Sequence, residues 1–389
     1  MRNQILPAVV AVWLASCTPQ GATVRVTVNN PCDYDRTDEL VEIPLDALLS
    51  RITFADGETC VVTDGRGETV VSQVTHDGKL VFQAGVKARG KASYTVSAGE
   101  PQVFASRTFG RLVAERYDDF AWENDRVAFR IYGAALIPVD GPSNGLDLWY
   151  KRTAEPVIDR WYGDDLAGIR SYHEDHGEGL DDYKVGRTLG GGMMAPYVDS
   201  TLRLNENFVR HELLENGPLR TTFTLIYSDL NVDGRMLSER RTFSLDAGSQ
   251  LTKVTQAYGG TGEVLPVAAG IVKRDGDDAI FKSRTKNGTA ALVYAEPESD
   301  AVGRVYVGMV FPSGFDATTV DTYTLTHAIS GREETHSHLL ALTSCSPGMP
   351  VVYYTGFGWS KFGFPSVDDF EAYIGKFMEG LDRPLLIKY

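Results

Sequence analysis

Cysteine is scarce in this 389-residue chain: there are four, with no Cys-x-x-Cys pair and no zinc-finger spacing. Structural zinc and dithiol redox chemistry are therefore not indicated. The Gly-x-Ser-x-Gly elbow of serine esterases is missing. Gly190-Gly191-Gly192 lacks the lysine and the strand–helix setting of a phosphate loop, so no nucleotide site is read. Positive charge is also short, with 38 Lys and Arg against 52 Asp and Glu and a net charge of −14. That field repels nucleic acid and anionic membrane surfaces, and an acidic substrate needs a local cationic pocket set against it. Internal repeats and low-complexity linkers are lacking too.

Long apolar runs are equally rare. Ile5 to Leu14 is too short for a permanent membrane span. With Arg2 before it and Leu14-Ala15-Ser16-Cys17 closing it, residues 1–17 read as a lipoprotein-type signal segment with the lipid anchor at Cys17; an ordinary secretory signal is the plainer alternative. Both predict an exported protein, in the periplasm or attached to the outer membrane. In that oxidising setting Cys32 and Cys60 are one option for a disulfide, with Cys345 left over, and the sequence leaves the pairing open.

What is present is β pattern. Val24, Val26 and Val28 alternate with Arg25 and Thr27, and short β segments run to Val96 between Asp-Gly turns. Residues 18–105 are expected to form a small β-sandwich. From residue 106 to 389 the strand candidates lengthen without intervening helices, which predicts a large antiparallel β-supersandwich. Val127, Phe129 and Ile131 alternate there with Arg126 and Arg130. One C-terminal amphipathic helix is expected: Ser366 and Asp369 form a capping pair, and Phe370, Tyr373, Ile374, Phe377, Met378 and Leu381 make one apolar face. The class is all-β, in two domains.

The densest chemistry lies between Tyr172 and Arg187, where two His, two Glu, three Asp, two Tyr, a Lys and an Arg share sixteen positions. A solvated acidic loop seldom mixes so many titratable types. His173 and His176 are one residue short of the zinc-protease spacing. Asp175, Glu178, Asp181 and Asp182 suit Ca²⁺ or another divalent cation on a flexible loop, although the EF-hand spacing fails. The plainer reading has these carboxylates capping turns and pairing with Lys184 and Arg187. His173, His176, Tyr183 and Lys184 form the candidate catalytic set, and Arg187 and Arg170 the candidate carboxylate clamps. Trp149, Tyr150, Trp161, Tyr162 and Trp359 are candidate sugar-stacking platforms beside Lys361, although each aromatic alone is more often core. His336-Ser337-His338 and the cluster Asp118–Asp125 are further candidates, weighed against an exposed strand and a domain bridge.

The segments ERYDDFAWENDRVAFRIYG (115–133), YHEDHGEGLDDYKVGRTLG (172–190) and GFGWSKFGFPS (356–366) resemble those of an uncharacterised domain-of-unknown-function family. Its members are exported Bacteroidota proteins, often from polysaccharide-utilisation loci of the pectin type. The resemblance implies a sandwich like the galactose-mutarotase supersandwich of several polysaccharide lyases, and transfers no catalytic residue. Combined with the residues, it predicts a carbohydrate-active enzyme on uronate-containing oligosaccharides, acting by β-elimination. The alternatives are a glycoside hydrolase, a mutarotase-like epimerase, and a non-catalytic glycan-binding lipoprotein.

Overall fold

The computed structural model describes residues 22–389. The expected signal segment and Cys17 lie outside the described residues. Among those described, no helix is long and apolar enough to cross a membrane.

Valine alternation builds the small domain. Val24–Asn29 sits between Lys91–Gly99 and Leu386–Lys388 in a five-stranded sheet that Thr59–Asp64 and Thr69–Val70 complete. A three-stranded sheet of Arg36–Pro44, Lys79–Val86 and Ser72–Val74 faces it. Val26, Val28, Val62 and Val96 from the first sheet meet Val41, Ile43, Phe82 and Ala84 from the second in one core, as period-2 patterning requires. The strand Leu386–Lys388 was not expected here. It returns from the far end of the large domain, pairs Ile387 with Val28, and adds its apolar side to this core. Cys32, Cys60 and Cys345 are all buried thiols, so the Cys32–Cys60 option is not taken up.

The large domain has three sheets around a shared core. The first runs Gly179–Asp181, Asp147–Lys151, Ala128–Ile131, Asp119–Asn124, Thr108–Val113. The second runs Thr201–Leu202, Gly191–Val198, Leu265–Lys273, Glu333–Cys345, Ala317–Thr326, and the third is nine-stranded. The named pairings are antiparallel, and Trp122, Phe129, Phe223, Phe243 and Phe357 stack or meet edge-on where the first and third sheets face. The triple glycine has a packing role. A Cβ on Gly190, Gly191 or Gly192 would lie 2.2, 2.6 or 2.1 Å from Leu146, Leu148 or Thr355, so only glycine lets these strands approach.

The C-terminal helix is Val367–Asp382, and Ser366 and Asp369 do form a reciprocal capping box. Its Phe370, Ile374 and Met378 cover the nine-stranded sheet at Ala291, Val293, Tyr306 and Val310. A second helix, Ile158–Leu166, departs from the expected helix-free stretch. Its cap is distant in sequence: the Glu123 carboxylate accepts from the amides of Val157 and Ile158 at 2.9 Å, and also binds Lys151 Nζ at 2.6 Å. No local pattern carries that information.

Candidate functional site

The acid-rich loop does not assemble as the sequence suggested. Its carboxylates go to separate cations: Asp175 to Arg152 at 3.0 Å, Glu178 to Arg160 at 2.6 Å, and Asp181 to Arg130 at 2.7 Å, while Asp182 stands exposed. Among the described residues no group of three or more His, Cys, Asp or Glu is placed to hold a metal ion. His173 Nδ1 lies 2.8 Å from the Asp181 carbonyl, and His176 Nε2 lies 3.2 Å from that of Ser171. The hollow beside His176 has room for about 10 Å³, one water rather than a sugar. Arg170 is clamped by Asp164 at 2.7 Å. Tyr183 is buried under the Arg274 guanidinium, while Lys184 is exposed.

The expected stacking platforms are core. Trp149 is fully buried and packs on Trp161, Tyr162 and Tyr172 with ring centres 5.0–5.4 Å away. Tyr150 packs on Phe357 and Trp359, whose indole N–H donates to the Val302 carbonyl at 2.7 Å. Lys361 Nζ donates to the Ala301 carbonyl. As they stand, these aromatics offer no open face to a ligand.

A larger opening lies elsewhere, with a volume of about 370 Å³. Arg116 reaches it from the turn between Thr108–Val113 and Asp119–Asn124, Tyr132 from just after Ala128–Ile131, Asp140 from the end of the short helix Ile137–Asp140 and Ser143 from the loop after that. Gly186 and Arg187 come from the far end of the acid-rich stretch. His327, Glu334 and His336 come from the edge hairpin formed by Ala317–Thr326 and Glu333–Cys345. Of the residues singled out as site candidates, Arg187 and His336 are here. Arg116, Tyr132, Asp140 and His327 went unnoticed because they are brought together only by the hairpin's fold-back.

Arg187 is half-buried, and its guanidinium donates to the carbonyls of Leu204 and Asn205, with Leu204 at 2.8 Å. Among the described residues no carboxylate forms an ion pair with it, and burial pulls its pKa below the ordinary arginine value. A cation desolvated without a counter-charge favours an incoming anion. The two histidines are held differently. His327 Nδ1 receives the amides of Ile329 and Ser330 at 3.3 and 3.2 Å, so it must be the acceptor and Nε2 carries the proton, 3.9 Å from Asp140. His336 Nε2 lies 3.6 Å from Glu334 Oε2, and burial holds this imidazole below its usual pKa. His338, next on the same strand face, is fully buried; it receives the Leu189 amide at 3.0 Å, and burial pushes it down to about 3.

Behind the cleft sits a buried charge cluster. Arg130 binds Asp147 at 2.6 Å and Asp181 at 2.7 Å, and lies 4.0 Å from Asp119. The Tyr132 hydroxyl donates to Asp147 at 3.1 Å, linking cluster to cleft. Burial pushes Asp119 up to about 6 and raises Asp181 as well. Three carboxylates around one guanidinium are hard to keep ionised together.

A protein of Formosa agariphila described as "Uncharacterized protein P7" is 30% identical over 397 residues, covering 96% of each chain. Two solved structures from Enterococcus faecalis, a protein in glycosyl hydrolase family 38 and an alpha-mannosidase, align with TM-scores of 0.40 and 0.39 at 11% and 10% identity. They cover 96% and 94% of this chain, which spans about half of theirs, 48% and 46%. The family described as a domain of unknown function (DUF4861) matches residues 28–387, and this chain belongs to it.

Proposed function

We propose that this protein is an exported carbohydrate-active enzyme that cleaves uronate-containing oligosaccharides, of the pectin type, by β-elimination in the Arg187 cleft. The observation that carries the reading is a guanidinium with no carboxylate paired to it among the described residues, lining one opening with His327, whose Nδ1 is an acceptor, and His336, whose Nε2 lies toward Glu334. Arg187 receives the uronate carboxylate and makes the neighbouring C5–H more acidic. Neutral His336 has Glu334 behind its Nε2, so the other ring nitrogen takes the C5 proton. The electron pair forms the C4–C5 double bond, the C4–O4 bond breaks, and His327 Nε2–H passes its proton to the leaving oxygen. Tyr132, Ser143 and the hairpin tip bound the space around the sugar.

The test is ultraviolet absorbance during incubation with a panel of uronate oligosaccharides. A rise that disappears in Arg187→Ala and His336→Gln supports elimination in this cleft. New reducing ends without absorbance would turn the assignment to a hydrolase using Asp140 and Glu334. Bound but unchanged glycan would leave a binding protein.

A further inference from the structure

Arg116 lines the same cleft, and its only ion pair among the described residues is a long one, 3.4 Å from Nη1 to Asp119 Oδ1. Asp119 does not depend on it. The other carboxylate oxygen accepts the Tyr162 hydroxyl at 3.1 Å and lies 4.0 Å from Arg130. Around the arginine, the rings of Tyr117 and Tyr132 sit 5.6 and 5.7 Å from its guanidinium carbon, a flat cradle in which, among the described residues, only Nη1 has a hydrogen-bond partner, Asp119. The backbone is built to hold this position. Tyr117 and Asp118 are consecutive non-glycine residues with φ of +50° and +59°, and the Asp119 amide closes the turn onto the Arg116 carbonyl at 3.2 Å. Asp enters αL readily in a tight turn, whereas a bulky Tyr there is uncommon.

We propose that Arg116 is a second anion-binding residue of the cleft, restrained by Asp119, so that the site selects glycans carrying two acidic groups over those carrying one. The proposal rests on the reading of the cleft as a uronate site. Arg187 takes the carboxylate of the sugar that reacts, and Arg116 takes that of its neighbour. Asp119 sets how readily Arg116 turns to the ligand, since removing its charge removes the guanidinium's competing partner. The groups facing Asp119 are Arg116, Arg130, the Tyr162 hydroxyl and, through the shared Arg130, Asp147. None of them replaces it as an anion for Arg116 at ion-pair distance among the described residues.

The experiment is calorimetric binding on the full chain near neutral pH, with two probes: a diuronate, and the same disaccharide with one carboxyl as its methyl ester. Arg116→Ala is expected to weaken the diuronate about tenfold and the ester less than about twofold. Asp119→Asn, which keeps the shape and the Tyr162 contact, is expected to tighten the diuronate about threefold, a gain that a folding defect would not produce. Equal losses on both probes in Arg116→Ala, or weaker diuronate binding in Asp119→Asn, would overturn the proposal. If the unaltered chain binds neither probe and converts no uronate, the reading of the cleft falls and takes this proposal with it. Binding that Arg187→Ala abolishes but Arg116→Ala leaves intact would remove this proposal alone.

Discussion

The phenolic hydroxyl of Tyr323 donates a 2.8 Å hydrogen bond to the main-chain carbonyl of Arg187, tying the edge hairpin to the loop that carries the guanidinium. Its ring also packs beside both His336 and His338, with centres 5.7 and 5.5 Å away. Tyr323→Phe keeps the ring and removes the tie. The expected cost in stability is about 1 kcal/mol by denaturant unfolding. A larger relative drop in kcat/KM should accompany it, because Arg187 loses its register with the histidines. Unchanged kinetics would separate this tie from the site.

Arg187 itself should divide binding from folding. Arg187→Ala removes the cation and both donors to Leu204 and Asn205. Turnover of a uronate substrate should fall at least about a hundredfold. Arg187→Lys retains the charge but loses the planar fork, and should recover only a minor part. A neutral oligosaccharide should bind both variants equally.

The proton acceptor imposes a pH profile. Burial lowers the pKa of His336, so it stays neutral to a lower pH than an ordinary imidazole. The acid limb of kcat/KM should therefore lie below about pH 6.5. The nearby Glu334 charge opposes that lowering. Glu334→Gln should move the acid limb further toward acid, and a move the other way would show that another group limits the rate.

Gly133 makes a close approach. A Cβ there would meet the Asp118 carbonyl oxygen at 2.2 Å, next to the two left-handed residues behind Arg116. Gly133→Ala should cost about 2–3 kcal/mol, read from the unfolding midpoint. It should also weaken acidic-glycan binding, since the Arg116 turn must shift to make room.

Asp119 links stability to pH. Its folded pKa, pushed up to about 6 by burial, exceeds the unfolded value of about 3.9. The folded state therefore holds more protons between those values, and stability falls as pH rises through that window. Asp119→Asn should flatten the fall, closing a gap on the order of 3 kcal/mol between pH 4 and pH 7. Thermal melting across that range checks the sign, and a gap that widens instead would place the linked proton elsewhere.

Strands and helix ends governed by near neighbours could be read directly. Val24 to Val28 alternates because one face is core, and the Ser366–Asp369 box spans a single helical turn. The helix Ile158–Leu166 escaped notice because its cap, Glu123, lies about thirty-five positions upstream. The site showed the same divide. Composition drew attention to residues 172–187, but three of the loop's acids, Asp175, Glu178 and Asp181, are held by Arg152, Arg160 and Arg130 from elsewhere. Only the last of its cations, Arg187, faces the opening. His327 and Asp140 carry no sequence signal as a pair, since only the hairpin brings them within 3.9 Å. Dense aromatic and polar residues marked an interior as readily as a surface, and Trp149 and Trp161 belong to that interior.

The strand Leu386–Lys388 has a consequence for biosynthesis. The small domain leaves the ribosome before the large one, yet one edge of its sheet comes from far downstream: the Asn29 side chain donates to the Leu386 carbonyl, 357 positions on, and Leu385 and Ile387 add to its core. Until residue 388 has been made, Val24–Asn29 presents an unpaired edge to every other nascent strand. The small domain is thus closed only after the large one has been threaded out, and its early vulnerability lasts for as long as those intervening residues take to be made.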